Sequence, residues 1–198
     1  MIKNNLNLRE IISEAWNKTK KNYWFLFCLL IASFIISSAI HHIFLLNYIL
    51  DIFIGVAVLT IAILIADGNT PKYEDIFKSF KNYKITLNFF LASILCMITI
   101  IAGLIVFILP GIYLAVRLQF YKFLVIENEN MSPIDALKES YKMTEGHFWY
   151  LLNFIVVILV INLIGAIPFG LGFVVTLPLS LISGAVLYKK LLPHHIHH

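Results

Sequence analysis

Three times along the chain a short, lysine-bearing amphipathic segment runs straight into a long apolar stretch. The segments are LREIISEAWNKTKKNYW from Leu8, TPKYEDIFKSFKNYKITLNFF from Thr70, and MSPIDALKESYKMTEGHFWY from Met131 to Tyr150. Aligned on the aromatic late in each, Trp16, Phe80 and Tyr141, they recur every 61 to 64 residues. This predicts one domain over 1–198, built from internal repeats at about 7–69, 70–130 and 131–192.

The apolar stretches decide the solvent. Only 13% of the 198 residues are charged and 60% are hydrophobic, whereas a soluble domain carries about 25% charge. A bilayer span takes about 20 apolar residues. The chain has room for six such spans, two per repeat. They are expected at about Tyr23–Ile40, Leu45–Ala66, Thr86–Ile108, Ile112–Ile126, Phe148–Ile167 and Leu171–Leu192. Turns are expected at His41-His42, Pro110-Gly111 and Pro168-Phe169-Gly170. The expected fold is an all-α membrane protein of six transmembrane helices. They form three hairpins, each preceded by an amphipathic helix on the cytoplasmic face.

Local signals support the amphipathic helices. Asn7, three residues before Glu10, is a capping candidate. Leu8, Ile11, Ile12, Ala15 and Trp16 then share one helical face. In the second unit Thr70 is the expected cap, with Pro71 at the first helical position, where its missing N–H costs nothing. Tyr73, Ile76, Phe77 and Phe80 form its apolar face, interleaved with Lys78, Lys81 and Lys84. In the third, Ser132 and Pro133 repeat that start, and Thr144-Glu145-Gly146 ends the helix.

Charge sets the orientation. Of the 15 basic residues, all but Arg117 fall on one side of the six-span layout. By the positive-inside rule that side is cytoplasmic, with both termini. The net charge of +4 then reflects topology, and nucleic acid is not an expected partner. The basic amphipathic helices suit the headgroup layer, where anionic lipid attracts them. Some 22 residues precede the first apolar run and include Glu10 and Glu14, which argues against a cleaved signal peptide. Cys28 and Cys96 lie in apolar runs and are expected as small core residues.

The stretch LPGIYLAVRLQFYKFLVIENENMSPIDALKESYKMTEGHFWYLL resembles a group of bacterial inner-membrane domains. The group includes the YciC-like proteins and the membrane domain preceding some glycerophosphodiester phosphodiesterases. The likeness rests on Pro110-Gly111-Ile112-Tyr113, on Arg117, and on Ser132-Pro133, Ala136-Leu137 and Ser140 before Gly146. It implies a helical inner-membrane fold. It implies no phosphodiesterase activity, because no catalytic segment accompanies it.

Arg117 is the residue that such a layout least tolerates. It lies six residues past an expected outer turn, about 9–10 Å along a helix. On a lipid face it would cost at least about 2–3 kcal/mol, so it is expected to face the protein interior. Tyr113 and Tyr121, four residues either side, are expected to hold it by hydrogen bonding or cation–π contact. Asp51, at nearly the same place in the first repeat, is its expected ion-pair partner. Gly172, Thr176, Ser180 and Gly184 form a stripe of small residues suited to close packing on another span or a second copy.

Motifs for catalysis are missing. There is no H-E-x-x-H pair, no G-x-S-x-G nucleophile and no Gly-rich phosphate loop. No cofactor or metal site is expected. His41 and His42 are adjacent and point apart on regular structure, and the tail His194, His195, His197 and His198 reads as a solvated end. The expected function is that of a non-enzymatic inner-membrane protein. It would bind lipid or a protein partner, a second copy included, and organise the envelope. The alternative is a small transporter or channel using an Asp51–Arg117 pair.

Overall fold

The computed structural model describes residues 7–40, 44–167, 170 and 172–192. Among them the chain forms ten helices and no strand: α1 (Leu8–Lys21), α2 (Tyr23–Ile40), α3 (Phe44–Ala66), α4 (Tyr73–Lys81), α5 (Tyr83–Val106), α6 (Ile108–Leu118), α7 (Tyr121–Glu127), α8 (Pro133–Met143), α9 (Phe148–Ala166) and α10 (Phe173–Leu191). Four stretches are long and apolar enough to cross a membrane: Tyr83–Ile105, Ile108–Glu127, Phe148–Ala166 and Phe173–Leu191. A fifth is added if α1 and α2, bent by 81°, count as one broken span. Within α3, Leu50–Ala66 is a further apolar stretch. Among the described residues the protein is all-helical with four to five candidate spans, as suits a multi-pass membrane protein.

The caps show how local chemistry sets the short helices. Asn7 accepts from the Arg9 amide at 3.1 Å, and Ser132 accepts from the Asp135 amide at 3.2 Å with Pro133 at the first position. The second unit differs from expectation. Its helix starts at Tyr73, capped by Lys72, and Thr70 and Pro71 precede it. The Asp75 carboxylate accepts from the Lys72 amide at 3.0 Å, and an acid at the third helical position fixes that first turn. This backbone hydrogen bond also holds the Asp75 carboxyl below its ordinary pKa. Gly68, after α3, and Gly146, after α8, have positive φ, at 86° and 77°, a conformation that glycine adopts without steric cost.

Of the three expected turns, one falls elsewhere and two lie wholly or mostly on residues outside those described. The break before α6 is the single extended residue Phe107, at φ −163° and ψ 152°. Pro110 and Gly111 lie in the first turn of α6, where a proline displaces no helical hydrogen bond. His41 and His42, Pro168 and Phe169, and the four tail histidines lie outside the described residues.

The core gathers at the lysine-bearing end of α10. Ile182, Ala185, Val186, Leu187 and Tyr188 are buried there. They meet Val56, Ile61 and Ile65 of α3, Phe123, Leu124 and Val125 of α7, and Ile11 and Ala15 of α1. The Tyr188 and Phe123 rings stack at 5.1 Å. Away from this core α2, α5 and α9 turn apolar side chains outward, among them Phe34, Met97 and Leu163. Apolar surface on this scale suits hydrocarbon, not water. Cys96 is buried as expected, whereas Cys28 is exposed on α2.

Close glycine contacts join α5 to α6 and α9 to α10. A Cβ on Gly103 would lie 3.1 Å from the Gly111 Cα, and one on Gly172 would lie 2.6 Å from the Gly165 Cα. The small-residue stripe of α10 therefore serves another helix of the same chain. Thr176 packs on Gly165, and Ser180 accepts from the Asn162 amide at 2.8 Å. Gly184 instead faces the Phe123 ring of α7.

Candidate ligand site around Arg117

The helix that carries Arg117 is interrupted immediately after it. α6 ends at Leu118 and α7 begins at Tyr121, so the backbone ladder is broken at Gln119 and Phe120. Ser140 of α8 clips the two sides together. Its hydroxyl donates to the Arg117 carbonyl at 3.1 Å and accepts from the Phe120 amide at 3.2 Å. The Thr144 hydroxyl donates to the same carbonyl, also at 3.1 Å. Both hydroxyls are fully buried.

Replacing Ser140 with alanine strands the Phe120 N–H and half of this support in a buried place. The expected loss is about 1–3 kcal/mol, read as a fall in thermal midpoint in detergent. Ser140→Thr, which keeps the hydroxyl, should lose less.

The interruption also decides what surrounds the guanidinium. Arg117 is 3% exposed, so it faces the interior as expected. Its guanidinium lies 4.0 Å from the centre of the Tyr141 ring and 5.6 Å from that of Tyr113. The two phenol oxygens approach to 3.4 Å. Phe148, the first residue of α9, closes the Tyr113 side at 5.1 Å between ring centres. Arg117 therefore sits beside the junction where amphipathic α8 gives way to α9, at the end of α6 away from the Phe107 break, not near the outer turn as expected.

Two expectations need correction. Tyr121 is not part of the box. Because the helix breaks between them, Arg117 and Tyr121 do not share a face, and the Tyr121 hydroxyl donates to Ser93 of α5 at 3.1 Å. The fourth-residue rule holds only on the unbroken side, for Tyr113. Tyr141 takes the second place, from a helix 24 residues further along the chain. Nor do Asp51 and Arg117 meet. Asp51 is exposed and accepts from the Ser37 hydroxyl at 2.9 Å. The ion pair on which a channel would depend is not among those of the described residues.

A second polar cluster ties helix ends together. Lys189 bridges Asp67, at 2.9 Å, and Glu127. The Tyr188 hydroxyl donates to the other Glu127 oxygen at 2.8 Å. Lys190 pairs with Glu14 at 2.9 Å, and Glu14 with Lys18 at 2.8 Å. Lys18 also donates to the Ala66 carbonyl at 2.6 Å, the end of α3. Burial pushes the Glu14 carboxyl up, but its hydrogen bonds to Lys18 and Lys190 outweigh this and hold it below its ordinary pKa. No group of acids, histidines and cysteines suited to a metal ion occurs among the described residues.

These features define a helical protein of several apolar spans that encloses a buried arginine between tyrosines. Residues 49–191 match the family model described as Domain of unknown function (DUF7847), and the chain belongs to that family. No curated protein and no solved structure matches it.

Proposed function

We propose that the chain is a non-enzymatic protein of the bacterial inner membrane. In this reading six spans form three head-to-tail repeats, and the interfacial helices gather anionic lipid on the cytoplasmic face, organising the membrane around them. The observation that carries it is the outer surface of α4. Tyr73 and Phe77 are each 64% exposed on that helix, next to exposed Lys72 and Lys78. Tyr73 packs on Phe25 of α2 at 5.2 Å, which brings α4 beside exposed Trp24. Aromatic rings with a basic fringe are what a headgroup layer takes up.

The packing supports the repeat. α4 lies on α3, α8 on α7, and α1 on α10. Each amphipathic helix thus docks on the second span of the preceding unit, and the first closes the ring onto the last. The glycine contacts Gly103–Gly111 and Gly165–Gly172 occupy corresponding places in units two and three.

Each lysine near an anionic surface contributes about 1 kcal/mol. Changing Lys72 and Lys84 to glutamine should therefore weaken capture of phosphatidylglycerol by about fivefold per residue. Native mass spectrometry of protein released from nanodiscs reads this directly. Lipid retained in proportion to its share of the bilayer, by wild type and variant alike, would sink the proposal.

A further inference from the structure

The charge of Arg117 is met by two tyrosine rings and by no carboxylate among the described residues. Its side chain is almost wholly buried, and Nε has no hydrogen-bond partner. Glu145 acts electrostatically on the Tyr113 hydroxyl but makes no ion pair with the arginine. Cation–π contact with Tyr141 returns less than a guanidinium loses on leaving water. A buried arginine in this position asks for an anion from outside the chain.

The tyrosine rim of the box is partly open. Phe148 closes one side, but Tyr113 and Tyr141 are 37% and 40% exposed, so the rim opens where their hydroxyls meet. A planar five-donor fork beside two phenol hydroxyls matches an oxyanion with several acceptor oxygens, and arginine recognises phosphate through this geometry. The location narrows the source. The box stands at the α8–α9 junction, with Lys142 in the last turn of α8 and Trp149 78% exposed at the start of α9. Indole and lysine together mark headgroup depth.

We propose that Arg117, with the hydroxyls of Tyr113 and Tyr141, binds the phosphate of an anionic phospholipid headgroup. The site rests on the reading of this chain as a lipid-gathering membrane protein and gives that reading one specific, saturable position. It differs from the α4 surface, which attracts lipid through diffuse charge.

The test compares wild type with Arg117→Leu, Arg117→Lys and Tyr141→Phe in nanodiscs of equimolar phosphatidylglycerol and phosphatidylcholine. Native mass spectrometry counts the phosphatidylglycerol that survives activation. Wild type should keep one tightly bound molecule. Tyr141→Phe, which keeps the ring and loses only the hydroxyl, should bind it about tenfold more weakly, as should Arg117→Lys, which keeps the charge and loses the fork. Arg117→Leu should lose it. The two conservative variants keep the test decisive if the leucine variant does not fold. Undiminished tight binding in both conservative variants overturns the site while leaving lipid gathering intact. No enrichment of phosphatidylglycerol in wild type overturns both. If inorganic phosphate displaces the wild-type lipid, the box takes the free ion and the headgroup assignment fails.

Discussion

Changing Gly172 to alanine is expected to force α9 and α10 apart. The added Cβ would stand 2.4 Å from the Gly165 carbonyl oxygen and 2.6 Å from its Cα. Both are backbone atoms of a helix, so no side chain can swing aside to make room. Overpacking typically costs about 1–3 kcal/mol, and contact with a backbone puts this substitution near about 3 kcal/mol. The loss extends beyond that contact, because Thr176 packs on Gly165 and Ser180 holds Asn162 along the same seam. Gly111→Ala should cost less, since its closest neighbours are the Cγ and Cδ2 atoms of Leu104, each at 2.4 Å, and the backbone there stands off at 3.0 Å. Gly184→Ala is the control. Its Cβ would meet the edge of the Phe123 ring at 3.7 Å, an ordinary contact. Thermal unfolding in detergent should rank the three Gly172, Gly111, Gly184, with the last near wild type. A Gly172 variant as stable as wild type would mean that α9 and α10 do not approach this closely.

What could be read from the sequence was what neighbouring residues decide. Asn7, Ser132 with Pro133, and Gly146 all act within one helical turn, and each marks a helix end as expected. The apolar runs were equally plain, since length and lack of charge identify them. What failed depends on which helices touch. α2, α3, α5 and α9 are apolar all round, so periodicity cannot separate a face toward protein from a face toward lipid. Asp51 illustrates this. Equal depth in equivalent helices suggested a pairing with Arg117, but depth does not fix rotation or neighbour, and Ser37 is what lies beside it. Tyr141 was legible as the aromatic anchor of its repeat, yet not as the ring beneath Arg117. Nothing local signalled that α8 would pack across the break in its neighbour. Ser140 was a partial exception. It was singled out in the sequence, and the structure gives it a part in clipping the break.

Lys189→Met should loosen the end of the bundle where α3, α7 and α10 converge. The lysine contributes one cation to two acids from different helices, Asp67 beyond α3 and Glu127 at the end of α7. Removing it leaves two carboxylates facing each other without their shared cation. Breaking a fully buried pair costs about 3–5 kcal/mol. These side chains keep 24% exposure for Lys189, 20% for Glu127 and 38% for Asp67, and solvent screening reduces the expected loss to about 2 kcal/mol. The two acids are not equivalent. Glu127 also accepts from the Tyr188 hydroxyl at 2.8 Å, and that ring is fully buried against Phe123. Glu127→Gln keeps the tyrosine hydrogen bond while losing its charge, so it should restore part of the stability lost in Lys189→Met. Asp67→Asn alone, at the more exposed position, should change stability by less than about 1 kcal/mol. A double-mutant cycle on Lys189 and Glu127 measures the coupling, and strict additivity would remove the bridge as a structural element. The neighbouring pair carries the consequence further. Lys190 holds Glu14, and Glu14 holds Lys18, whose ammonium reaches the end of α3. Loss of the central lysine should therefore loosen α1 as well, so faster hydrogen exchange over Leu8–Lys21 is the local signature expected beside the global loss.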